Sequence, residues 1–167
     1  MNGALNALRE AVAGQLRQAG IHAVTAMEAE RAKRWREPVV AVSLSRVVCA
    51  PGGFKDYLGL RRDPETGKEE ELYGREVELT LALDISAPRD GGESACQETA
   101  AAVTETLVCQ GAADLTALEL EAGQTAWLEQ EGLYRQPVSC RCRAWLVARM
   151  DEGGGAFVDF EVKGRMR

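Results

Sequence analysis

Histidine is almost missing from this chain: His22 is the only one among 167 residues. A Cys/His zinc site needs four ligands, and a catalytic triad needs a base beside a nucleophile; neither pattern surrounds His22. It reads as an exposed side chain beside a helix end. No apolar run approaches the ~20 residues that a helix needs to cross a bilayer. The first residues, Met1-Asn2-Gly3-Ala4-Leu5, have neither the basic start nor the long apolar stretch of a secretory signal, so the chain is expected in the cytosol. Basic charge is in deficit. Against 26 Asp and Glu stand 20 Lys and Arg, a net charge of −6. That excludes a general nucleic-acid binder, which needs clustered cations against phosphate. Nucleotide-binding patterns are missing too. The glycines of Pro51-Gly52-Gly53 and Asp90-Gly91-Gly92-Glu93-Ser94 follow neither Gly-x-x-x-x-Gly-Lys-Ser/Thr nor Gly-x-Gly-x-x-Gly, and Asp90 and Glu93 would repel phosphate. Aromatics are few, and there are no internal repeats or low-complexity tracts.

What is present is a chain of one-domain length that is 46% hydrophobic, enough for a sizeable core. Its clearest signature lies at residues 75–107. Val77, Leu79, Leu81, Leu83 and Ile85 alternate with Glu78, Thr80 and Asp84, which predicts a strand with one buried and one wet face. Ala87-Pro88-Arg89-Asp90-Gly91-Gly92 breaks it. Ser94-x-x-Gln97 then reads as the capping box of a helix running to about Gln110. On that helix Ala95, Thr99, Ala102, Val103, Thr106 and Leu107 form the face expected to lie on a sheet.

The rest of the chain punctuates itself. Leu5, Leu8, Val12 and Leu16 recur at helical spacing over residues 3–19, and Gly20 stands at the C-cap position. Residues 21–27 suit a short strand, and residues 39–49 a longer, β-branched one. Residues 54–73 read as a protruding hairpin arm, with turn chemistry at Asp63-Pro64-Glu65-Thr66-Gly67-Lys68 and Phe54, Tyr57 and Tyr73 at its base. The main strand is placed at residues 74–87. Strands follow at residues 115–120, 138–150 and 156–163, the last two joined by a turn at Gly153-Gly154-Gly155. The order predicts an α+β fold in a single domain: an antiparallel sheet with two helices packed on one face.

Reactive candidates are thin. Cys140 and Cys142 face the same side of a strand roughly 6–7 Å apart along its rise, unsuited to a relaxed disulfide, and read as small core hydrophobes. The other cysteines, Cys49, Cys96 and Cys109, are expected reduced in the cytosol. Carboxylates sit singly on wet faces or in Glu69-Glu70-Glu71. Neither cofactor nor metal is expected. Arg141, Arg143 and Trp145 form a basic, aromatic stripe on one strand face, of the composition enriched at protein interfaces. With Phe54, Tyr57, Leu58 and Tyr73 of the arm they make up the candidate assembly surface. Catalytic turnover is not expected.

Several phrases resemble the tail-terminator-like small virion proteins of long-tailed bacteriophages, prophages and phage-tail-like particles. They are Asp56-Tyr57-Leu58-Gly59, Glu71-Leu72-Tyr73-Gly74-Arg75, Leu83-Asp84-Ile85-Ser86-Ala87-Pro88 and Phe157-Val158-Asp159-Phe160-Glu161-Val162-Lys163-Gly164. The resemblance implies an α+β subunit that assembles with itself into a ring, commonly a hexamer. It implies a ring that ends the tail tube, with the tail-tube protein and head–tail connector proteins as partners. Sequence-specific nucleic acid and membrane are not among the implied partners. The implied location is the bacterial host cytoplasm during assembly, then the virion or tail-like particle. A tail-tube or head–tail connector subunit is the alternative in the same class. A small-ligand-binding or enzymatic α+β domain is the alternative in another.

Overall fold

A computed structural model describes residues 2–25, 35–49, 57–62, 67–111, 113, 115–150 and 159–163. The fold class is α+β. Helix α1 covers Asn2–Gln18, and helix α2 covers Gly92–Glu105 and continues as a π turn over Thr106–Gln110. The strands are β1 (Ala23–Val24), β2 (Val39–Cys49), β3 (Tyr57–Arg62), β4 (Glu69–Pro88), β5 (Thr116–Ala122), β6 (Ala126–Leu128), β7 (Leu133–Met150) and β8 (Asp159–Lys163). All eight belong to one sheet.

Each helix end has a local cause. α1 stops in a Schellman motif: Gly20 takes φ +83°, its N–H donates to the Arg17 carbonyl, and the Ile21 N–H donates to the Leu16 carbonyl. The capping box expected at Ser94 does not form. A 3₁₀ turn over Arg89–Gly91 leads straight into α2, so Ser94 already lies in the first helical turn. Its hydroxyl donates to the Gly91 carbonyl, and Gln97 donates to Glu93 instead of the backbone. The buried face of α2 is Cys96, Ala100 and Val103, followed by Thr106 and Leu107 in the π turn. That is a one-residue rotation from the expected face at its N-terminal end. The threonines on its flank satisfy themselves within the helix: Thr99 and Thr104 donate to the carbonyls of Ala95 and Ala100.

The sheet is built around one long antiparallel pair. β4 has 20 residues and β7 has 18, and they pair without a register break from Glu71↔Met150 to Pro88↔Leu133. On the other side of β4 lie β2, opposite residues 77–86, and then β3, opposite residues 69–73. On the other side of β7 lie β6, β5 and β8 in turn. Residues 74–76 of β4 therefore have β7 on one side and, among the described residues, no strand on the other. The sheet is mixed, not wholly antiparallel, because β1 runs parallel to β2. Parallel neighbours need a returning connection, and residues 25–38 supply its length.

The core lies on one face of the β4–β7 pair. Leu79, Leu81, Leu83 and Ile85 are 0% exposed. Burying each such side chain contributes about 1.5–3 kcal/mol relative to leaving it in water. They form one cluster with Leu8, Val12, Ala13 and Leu16 of α1, Cys96, Ala100 and Val103 of α2, and Val138, Cys140, Cys142 and Ala144 of β7. Gln15 ties the two helical segments together. Its amide nitrogen donates to the Gly111 carbonyl, and its amide oxygen accepts from the Ala113 N–H.

The arm differs from a free two-stranded ribbon. β3 pairs antiparallel with the start of β4, as a hairpin would. Yet Glu71, Leu72 and Tyr73 are paired on their other side with Met150, Arg149 and Ala148 of β7. β8 adds a further strand beside residues 145–149. The projecting part is thus a multi-stranded continuation of the main sheet. An isolated ribbon is marginal in water, and the added strands remove that weakness. Phe54 and residues 63–66 of the expected arm, and the turn at residues 153–155, lie outside the described residues.

Candidate assembly interface

Alternation along β4 and β7 splits the sequence-derived candidates between two faces. Tyr57 stands opposite Tyr73, and their rings meet edge to face with centroids 5.5 Å apart. Tyr73 pairs with Ala148, placing this aromatic contact on the face that carries the core further along the sheet. The Tyr73 hydroxyl donates to a Glu71 carboxylate oxygen at 2.7 Å. That hydrogen bond raises the Tyr73 pKa above the ordinary 10.0, with burial and the Glu71 charge adding to it.

Leu58 serves the opposite face. It is the extra residue where the β3–β4 register shifts between Tyr57 and Gly59. Such a bulge re-aims a side chain, and Leu58 here covers Gly74. A Cβ on Gly74 would meet Leu58 Cδ1 at 2.5 Å and the Leu146 carbonyl oxygen at 2.9 Å. Gly74 is opposite Val147, which is 1% exposed, and Leu72 beside it is 7% exposed. A small apolar patch therefore fixes β3 to the sheet. Trp145, half-buried and opposite Glu76, extends the same face.

The arginine stripe is not a bare basic surface. Arg143 stands opposite Glu78 but reaches Glu76 at 3.1 Å. Arg141 stands opposite Thr80 but reaches Glu78 at 3.5 Å. Arg135 stands opposite Ser86 but reaches Asp84 at 2.9 Å. Each guanidinium thus takes the carboxylate two residues N-terminal to its direct partner, the diagonal neighbour across the twisted pair. Arg141 also meets Glu119 of β5 at 3.0 Å. The face is a ladder of opposite charges, because Glu76, Glu78 and Asp84 stand among the wet positions of β4. These pairs are about half exposed, and such pairs contribute at most ~1 kcal/mol each.

Three exposed features were not singled out by sequence reasoning. Val47 and Val48 at the end of β2 are 41% and 39% exposed, and Leu60 of β3 is 60% exposed. Their signal in sequence was only that β-branched and apolar residues continue past the stretch that the helices cover. The third is a surface cleft of about 540 Å³ lined by Arg89, Trp127, Glu129, Gly132 and Tyr134. Trp127 and Tyr134 stack at 4.9 Å with a 58° tilt, and Arg89 lies 5.9 Å from the Trp127 ring. No linear motif joins these residues; the β6–β7 turn and the 3₁₀ turn bring them together.

Reactive groups lie elsewhere. Cys140 and Cys142 are buried in the core cluster with their sulfurs 3.5 Å apart. That thiol contact and burial together push the Cys142 thiol well up, which keeps it uncharged. Cys96 is also pushed up, chiefly by burial. His22 is paired with Glu37 at 2.9 Å near the surface. Among the described residues, no group of three or more His, Cys, Asp or Glu side chains is placed to hold a metal ion. No helix among them is long and apolar enough to cross a membrane. Compared with known proteins, the chain matches no family model and no curated protein.

Proposed function

We propose that this chain is a structural, non-catalytic subunit that assembles with copies of itself into a ring. In this reading the ring is the tail terminator of a phage, prophage or phage-tail-like particle. It caps the tail tube and meets the head connector, assembling in the host cytoplasm and ending in the particle. The sequence phrases that resemble tail-terminator-like proteins supply the identity of the assembly. The observation that carries self-association is the exposure of four large apolar side chains, Val47 and Val48 on β2 and Tyr57 and Leu60 on β3, the two strands that pair with β4. Large apolar side chains gathered on one part of a surface mark contact sites. A ring subunit needs two unlike surfaces, which the two sides of the projecting sheet supply.

The test is light scattering coupled to size exclusion, followed by negative-stain imaging with and without a phage tail-tube protein. Rings, and tubes of limited length in their presence, are the expected result. A chain that stays monomeric at high concentration, in low and high salt and with its tube partner present, overturns the proposal.

A further inference from the structure

We infer that the two lateral edges of the sheet are the two halves of the subunit contact: β5 of one copy pairs onto the free edge of β2 in the next. This rests on the self-association proposed above and adds the surface that performs it.

On one side, β1 covers β2 only at Val40 and Ala41. Residues 42–49 of β2 therefore present an open edge, unpaired among the described residues. Residues 45–49 of that edge are all exposed, although adjacent strand residues point to opposite faces. Val47 and Val48 are thus bare on both faces at once. Arg46 beside them makes no ion pair among the described residues, and β3 continues the same side with Arg61 and Arg62.

On the other side, β5 is the last strand of the path β1-β2-β4-β7-β5. It is seven residues long, one fewer than the open stretch of β2. Its exposed residues include Leu118, 39% exposed, Glu119, which is ion-paired with Arg141, and the acidic Glu121. The only charged residue of β2 is thus the cationic Arg46, and the charged residues of β5 are both acidic. Each strand also exposes apolar side chains. Both are bent by a bulge, β2 between Leu44 and Arg46 and β5 between Ala117 and Glu119. Bent edges resist indiscriminate pairing and so select a complementary edge. The contact is heterologous, joining unlike patches, and repeats around a closed ring. Main-chain hydrogen bonds hold it, with charge setting partner and direction.

The experiment is a charge swap in the full-length chain, read by sedimentation velocity. Arg46→Glu and Glu121→Lys should each weaken self-association about tenfold or more. Mixed together they should reassemble, because the reversed edge of one meets the reversed edge of the other. Val48→Asp is a second variant on the same edge and should also weaken self-association, because it sets a carboxylate beside the acidic β5 edge of the next copy. Unchanged thermal unfolding of each variant confirms the fold. If the wild-type chain assembles and these variants assemble equally well, or their mixture stays dissociated, the edge contact is wrong and the ring reading stands. If the wild-type chain itself is monomeric, both fall.

Discussion

Substituting Gly74 with alanine should loosen the projecting end of the sheet. The added methyl would lie 2.5 Å from Leu58 Cδ1 and 2.9 Å from the Leu146 carbonyl oxygen. The leucine tip can swing away; the carbonyl belongs to the central strand β7 and cannot. Forcing a methyl group into such a space costs about 1–3 kcal/mol. For a domain of this size that corresponds to a Tm lower by about 2–12 °C. The loss should concentrate in β3, which among the described residues pairs with β4 alone. Amide exchange at residues 57–62 should therefore speed up by about five- to 150-fold, while the core of β4 changes less. A double-mutant cycle isolates the cause. Leu58→Ala removes one of the two clashes, so the pair should lose less stability than the sum of the two single variants. An unshifted Tm, or strict additivity with Leu58→Ala, refutes the account of Leu58 as the side chain that seats β3 on the sheet.

Three further outcomes follow from the same geometry. Leu81→Ala removes a side chain that is 0% exposed at the centre of the core and should cost about 2–5 kcal/mol, read by urea denaturation as a lower midpoint at unchanged slope. Arg143→Glu should destabilise more than Arg143→Ala, because it sets a carboxylate directly opposite Glu78 and diagonal to Glu76; added salt should shrink the difference, and equal Tm values for the two variants contradict the ladder. Tyr73 should titrate above the ordinary 10.0 when followed by ultraviolet absorbance, and Glu71→Gln should lower it. Its pKa is raised in the folded state, so its contribution to stability is present below about pH 10 and is lost as pH rises through the folded value.

The sequence was most legible where periodicity and burial coincide. Val77 to Ile85 alternate because one face of β4 lies in the core, where Leu79, Leu81, Leu83 and Ile85 are 0% exposed. β2 was likewise bounded correctly at residues 39–49, between Pro38 and the Pro51-Gly52-Gly53 break. Legibility failed where a strand outruns its core. The turn at residues 63–68 marked residues 69–73 as a strand of the arm, but nothing local signals that residues 71–73 also pair with residues 148–150 of β7, about eighty residues away, so that this strand and the main one are a single β4. Arg141 and Arg143 read as a basic stripe because their carboxylate partners belong to other strands, Glu76 and Glu78 on β4 and Glu119 on β5. The start of α2 was misplaced for a different reason. A Ser-x-x-Gln spacing is only permissive, and the preceding 3₁₀ turn had already begun winding the chain.

The uninterrupted β4–β7 ladder gives the molecule a mechanical character. Hydrogen bonds in an antiparallel pair run perpendicular to the strands. Tension along the strands therefore shears the whole ladder at once, whereas a pull across one end would peel it bond by bond. Torsion meets a different resistance. At residues 74–76, among the described residues, no strand flanks β4 on the side where β2 and β3 pair, and narrow ribbons twist more readily than wide sheets. The projecting end is thus stiff against stretching yet able to rotate about the long axis of the strands. In the ring proposed above, such an end would pass axial load to the next copy while adjusting the angle at which the two meet.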